Sequence, residues 1–191
     1  MKKSILFVIF LLIAINLRSQ SSYDYIGRDE FYLLKTGSDV KSTHKLKASE
    51  LKSSKVTEQL FGIDYKEKKY TNVMSDEKFT RVSYMDGLKI EIPEYEKSGI
   101  QFHITSDKYT MLLQKGQTIK VGMKADELKD IFPKSFAKRK IITEWVGNEG
   151  KTSFIVYFSR INNNKLEMED SWIIFILNNG LLEQILTAHP L

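Results

Sequence analysis

One order of landmarks occurs twice in this chain, and it restricts the available folds more than any other feature. Tyr32-Leu33-Leu34-Lys35-Thr36-Gly37-Ser38-Asp39-Val40-Lys41 reads against Met111-Leu112-Leu113-Gln114-Lys115-Gly116-Gln117-Thr118-Ile119-Lys120. The leucines, the glycine, a β-branched residue and the final lysine fall in register. Lys47–Lys52 then matches Lys124–Lys129 after a two-residue slip. Each stretch reaches an apolar pair before a helix breaker, Leu60-Phe61-Gly62 and Ile131-Phe132-Pro133. Each half closes on a tight-turn signal, Asp86-Gly87-Leu88 and Asn179-Gly180-Leu181. Two copies are too few for an open solenoid, so they are expected to pack together.

Each copy reads as strand, turn, helix and antiparallel strands. Helices are expected over Ala48–Phe61 and Lys124–Phe132. In the second, Ala125, Leu128, Ile131 and Phe132 recur at helical spacing. Asp126 and Glu127 sit where the helix dipole favours acids, and Pro133 stops the run. Leu88, Ile90 and Ile92 alternate with polar residues, as do Ile100, Phe102 and Ile104, which is the period of a half-buried strand. Further strands are expected at Tyr109–Gln114, Ile141–Val146, Ser153–Ser159, Ser171–Leu177 and Leu181–Thr187, with Asn162–Asp170 as a polar loop. Asn179-Gly180 suits a two-residue primed turn. The expected fold class is α+β: two tandem helix-plus-antiparallel-sheet units packed together, residues 20–109 and 110–191. A unit of about 80 residues alone buries little surface, so one cooperative unfolding transition is expected.

The N-terminus has the make-up of an export signal. Lys2 and Lys3 precede the apolar run Ile5–Ile15, and Ser19 is a small residue at the cleavage position. The run is shorter than the ~20 apolar residues that span a bilayer. Residues 1–19 are therefore expected to be a cleaved signal peptide, with an uncleaved anchor as the alternative. Removing Lys2, Lys3 and Arg18 lowers the formal charge from +5 to +2. A near-neutral chain with interspersed signs lacks the basic footprint of a nucleic-acid binder. Cysteine is absent, which excludes disulfides, thiol catalysis, thiolate metal sites and the lipidated cysteine of a bacterial lipoprotein. The expected destination is the periplasm or the extracellular space, with no membrane span once the leader is gone.

Few catalytic patterns survive. His44, His103 and His189 have no metal-site spacing, and no His-Glu-x-x-His, nucleophile elbow or phosphate-binding glycine loop occurs. The acids at Glu91–Glu96 and Glu167–Asp170 read as solvated turn residues rather than a glycosidase pair. No cofactor, metal or catalytic residue is expected.

One anomaly remains. In Trp172-Ile173-Ile174-Phe175-Ile176-Leu177 both faces of the strand are apolar, and Ile155 and Tyr157 oppose Phe154, Val156 and Phe158 in the same way. A sheet with one wet face should alternate. Either the second face is covered within the fold, or it meets a partner. Trp145, Tyr157, Trp172 and Phe175 are the candidate partner-binding anchors, because Trp and Tyr supply much contact area at low entropic cost.

Ile119-Lys120-Val121-Gly122-Met123-Lys124-Ala125-Asp126-Glu127-Leu128 resembles a motif of small exported bacterial domains: a short strand, Gly-Met, then a helix opening on an acidic pair. It is similar to the β-lactamase-inhibitor-protein-like fold, which includes outer-membrane assembly lipoproteins of the SmpA/OmlA type. The resemblance implies tandem helix-on-sheet units and a non-enzymatic role. Lys124 stands where that group usually has a capping Ser or Thr, and the first copy lacks Gly-Met. The expected function is an exported, non-enzymatic protein-binding module of the bacterial cell envelope, inhibitor-like or assembly-factor-like, with an envelope or extracellular protein as partner. The alternative is a carrier of a small hydrophobic ligand or lipid, with a pocket between the repeats.

Overall fold

A computed structural model describes residues 22–27, 31–36, 53–71, 76–94, 101–162 and 165–188. The expected leader, Gly37, Lys47–Lys52, His44, Glu96 and His189 lie outside them.

Twelve strands and three short helices are present among the described residues. The strands are β1 (Tyr25–Gly27), β2 (Phe31–Lys35), β3 (Tyr65–Thr71), β4 (Lys78–Tyr84), β5 (Leu88–Pro93), β6 (Gln101–Ile104), β7 (Tyr109–Leu113), β8 (Thr118–Lys120), β9 (Lys140–Ile141), β10 (Thr152–Asn162), β11 (Lys165–Asn178) and β12 (Leu181–Ala188). The helices are α1 (Ser54–Phe61), α2 (Ala125–Ile131) and α3 (Pro133–Ala137).

The expected α+β class is corrected by this inventory. The described residues are mostly β, and their main body is one mixed nine-stranded sheet ordered β1-β10-β11-β12-β6-β5-β4-β3, with β9 also on β10. The two halves do not form separate helix-plus-sheet units. Their strands join where β12 pairs antiparallel with β6, Ile185 opposite Ile104 and Leu186 opposite His103. The leading strands of the halves pair with each other as well. Leu33 lies opposite Met111 in a three-stranded sheet ordered β2-β7-β8.

Local expectations changed for identifiable reasons. Helix α1 begins at Ser54 among the described residues. The strand expected at Ile141–Val146 stops at Ile141, since Gly147 and Gly150 take positive φ and turn the chain into a loop. The expected polar loop at Asn162–Asp170 is largely strand, because β10 and β11 extend as a hairpin with Arg160 opposite Glu167. Strands β3 and β4 answer to no segment singled out as a strand in the sequence.

The inner face of the large sheet carries the core. One cross-strand row runs Phe154, Phe175, Ile185, Ile104, Leu88, Tyr84 and Tyr65. All are buried except the edge residue Tyr65. Three groups cover the row. Phe132 and Phe136, from the α2–α3 segment, pack on Phe154, with ring centroids 6.4 and 5.4 Å away. Phe31 of β2 meets Phe102 and Phe158. Phe61 of α1 sits edge-on to Tyr84 and Tyr109, 5.7 Å from each. Helix α2 is fastened at its start, where the Lys124 N–H donates to Glu127 Oε2 at 3.0 Å, one half of a capping box. Asp24 ties β1 to α3: its N–H donates to Ser135 Oγ, and the Ser135 N–H donates to Asp24 Oδ2.

The β11–β12 turn places Asn179 and Gly180 at φ 50° and 77°, the primed geometry expected from the sequence. In the β4–β5 turn, Gly87 has φ 108°, and a Cβ there would lie 2.7 Å from the Ser106 Cβ.

Candidate functional site: the outer face of the large sheet

Side chains alternate across a strand, so the pairing that builds the core also defines the opposite face. The outer row parallel to the core row is Ile155, Ile174, Leu186, His103, Lys89, Ser83 and Lys66. It changes character at one place. It is apolar across β10, β11 and β12, and polar and basic from β6 onward. A neighbouring row repeats the change, with Tyr157, Trp172 and Ala188 on one side and Gln101, Glu91, Arg81 and Lys68 on the other. The inner face shows no such break, because the helices and small sheet cover it on both sides of the junction.

The apolar half is only partly covered. Ile155, Tyr157, Trp172, Ile174 and Leu186 are all half-buried. Tyr157 centres an aromatic group, with Trp172 at 5.9 Å and Tyr23 at 5.1 Å, both edge-on. The Lys138 ammonium lies 4.2 Å from the Tyr23 ring centroid, a cation–π contact that fixes the rim.

A strap limits the apolar half at one end. Residues 142–150 leave β9 and cross toward β12, where Gln184 Nε2 donates to Asn148 Oδ1 at 2.9 Å. Lys151 Nζ donates to the same oxygen at 3.2 Å and pairs with Glu183 at 2.7 Å. His103 Nε2 and Gln184 Oε1 lie 2.9 Å apart, so the anchor continues onto β6. Asn148 is buried, and so is Ile176, the outer-face residue that lies between Ser153 and Gln184 in the sheet. Burial lowers the His103 pKa below its usual 6.5, with Lys89 adding to the effect and the Gln184 bond opposing it.

The four sequence-predicted anchors separate. Tyr157 and Trp172 face each other on the outer face. Trp145 rides on the strap and is 38 % exposed, next to Val146 at 88 %. Phe175 does not join them. It is fully buried on the inner face, stacked on Phe154 at 4.9 Å and tilted against Phe132 at 5.4 Å. Phe175 stands three residues from Trp172, an odd separation that sends the two to opposite faces of a strand. That parity was the signal available in the sequence. Tyr23, Leu186 and the basic row were missed, since only the register across β12 and β6 brings them beside Trp172.

Other titratable groups are structural. Tyr109 is buried and its hydroxyl donates to Asp86, which together with burial pushes its pKa well above the ordinary value. Lys35 and Lys108 lie 3.9 and 4.0 Å from the same carboxylate. Among the described residues no three His, Asp or Glu side chains are grouped to hold a metal ion. No described helix is long and apolar enough to cross a membrane. An open cleft of about 490 Å³ lies between the start of α1 and strands β3–β5, lined by Ser53, Lys69 and Lys78 with Glu67 and Glu94 among others. At the junction of the halves the interior is filled by Phe31, Phe102, Ile104 and Met111, all buried.

Comparison with protein-family models, with curated proteins and with solved structures gave no match.

Proposed function

We propose that this chain is an exported, non-catalytic protein-binding module of the bacterial cell envelope, and that the outer face of β10–β12 takes the partner. One observation carries the reading. Tyr157, Trp172, Ile174 and Leu186 form a contiguous, half-exposed apolar surface on strands whose other face already packs a full core. Folding does not need a second apolar face there, and large partly exposed aromatic patches mark interaction sites. Export rests on the charged, apolar and small-residue order of residues 1–19.

The test is photo-crosslinking in the producing cell, with a benzoylphenylalanine residue at position 174 and, as control, at position 63. Ile63 is 78 % exposed in the turn after α1, away from the outer face. A discrete protein adduct from position 174 alone is the expected result. Equal adducts from both positions, or none from either, overturn the proposal.

A further inference from the structure

The basic half of the outer face narrows the partner's chemistry, given the binding reading above. Lys66, Lys68 and Lys89 are exposed and have no carboxylate partner among the described residues. The one carboxylate of those rows, Glu91, is already engaged, at 2.6 Å from an Arg81 guanidinium nitrogen. Arg81 is further held over the Tyr70 ring at 4.7 Å. Three cations therefore stand in line with the apolar patch and unneutralised by it.

We propose that the outer face receives an acidic protein segment, its apolar side chains seated on Trp172, Ile174 and Leu186 and its carboxylates over Lys89, Lys68 and Lys66. Neighbouring strands lie about 4.8 Å apart, so Lys89 is about 14 Å and Lys66 about 24 Å across the sheet from the Trp172 strand. An extended segment of about four to eight residues spans that interval. Opposite charge at this range speeds association and rejects basic competitors. An anionic bilayer fits less well, since the strap bordering the apolar half carries exposed Glu144 and Glu149, whose charge opposes a broad anionic surface more than it opposes a narrow segment lying across the strands toward Lys66.

The experiment is selection of random peptides displayed on phage against the exported chain purified from the envelope. Three proteins are compared: wild type, Trp172→Ala, and the triple variant Lys66→Glu, Lys68→Glu, Lys89→Glu. The triple sites are exposed strand positions, and circular dichroism with thermal melting checks that each variant is folded. Wild type is expected to return peptides that join an aromatic or aliphatic cluster to an acidic run, binding more weakly as salt rises. The triple variant is expected to lose the acidic enrichment and to bind the wild-type peptides at least about tenfold more weakly. Apolar peptides without acids overturn the acidic partner and leave the binding face standing. Acidic peptides still selected by the triple variant overturn it too. Peptides selected equally by Trp172→Ala, or none from wild type, refute the binding face itself. No peptides together with adsorption to phosphatidylglycerol vesicles refutes the protein partner in favour of a lipid surface.

Discussion

Trp172 and Phe175 lie on the same strand, and truncating each separates a surface reading from a core reading. Phe175 is fully buried, stacked on Phe154 and tilted against Phe132. Removing such a ring loses its transfer free energy and leaves a cavity, a cost of about 3–5 kcal/mol for Phe→Ala. Trp172 is half-buried, with Tyr157 as its ring contact. Trp172→Ala loses one aromatic pair, about 0.5–1.5 kcal/mol, and some strand propensity within a scale of about 1 kcal/mol. The expected total is about 1–2 kcal/mol. Phe175→Ala is thus expected to be the more destabilising by about 1–4 kcal/mol. In a domain of this size each kcal/mol of that difference is roughly 2–4 °C of melting temperature. Urea unfolding followed by far-UV circular dichroism reads the difference as a shift of midpoint at constant slope. Equal losses would show that both faces of β11 are core and refute the surface argument.

Four further outcomes follow from particular residues and pairings. Gly87→Ala should cost about 1–3 kcal/mol, since φ is 108° and the new Cβ meets Ser106, whereas Gly116→Ala at φ 84° meets no atom within 4 Å and should cost less; thermal melts of both variants check the order. The folded chain holds His103 below its ordinary pKa of 6.5, so the unfolded chain binds more protons just below that pH, and stability should fall as pH drops from about 6.5; His103→Gln should flatten that slope in urea titrations at several pH values. Mass spectrometry of exported protein should give a mature chain beginning at Gln20, and retention of residues 1–19 would refute the leader reading. Because β12–β6 pairing and β2–β7 pairing both join the halves, calorimetry should show one cooperative transition, and two separated transitions would contradict that coupling.

What could be read from the sequence depended on whether pattern or pairing decides each element. Strands β5, β6, β10 and β12 alternate or run apolar because one face is core, so their periodicity is local. Helix α2 and the Asn179-Gly180 turn likewise carry their own signals. Strand β3, Tyr-Lys-Glu-Lys-Lys-Tyr-Thr, is an edge strand largely exposed on both faces, so no alternation marks it. It is strand because β4 offers a ladder, and its lysines suit an edge that must not pair further. The extended β10–β11 hairpin is hidden for a related reason, since the mostly charged stretch 165–170 becomes strand through cross-strand bonds. These pairing-driven strands are what turned an expected pair of helix-on-sheet units into one large sheet. At the site, the doubly apolar Trp172–Leu177 run was legible and led to the outer face. Which of its residues share that face follows from parity, and parity puts Phe175 on the inner face, opposite to Trp172. The basic half was beyond reach, because Lys66, Ser83, Lys89 and His103 are brought into line only by four separate strand registers.

The most direct test of the outer face is oxidative footprinting of the chain in intact cells against the purified protein. Tyr157 and Trp172 should be modified in the purified chain and protected in the envelope, while Met85, 71 % exposed in the β4–β5 turn, is oxidised equally in both. Equal modification of Tyr157 and Trp172 in the two settings would contradict a partner on this face.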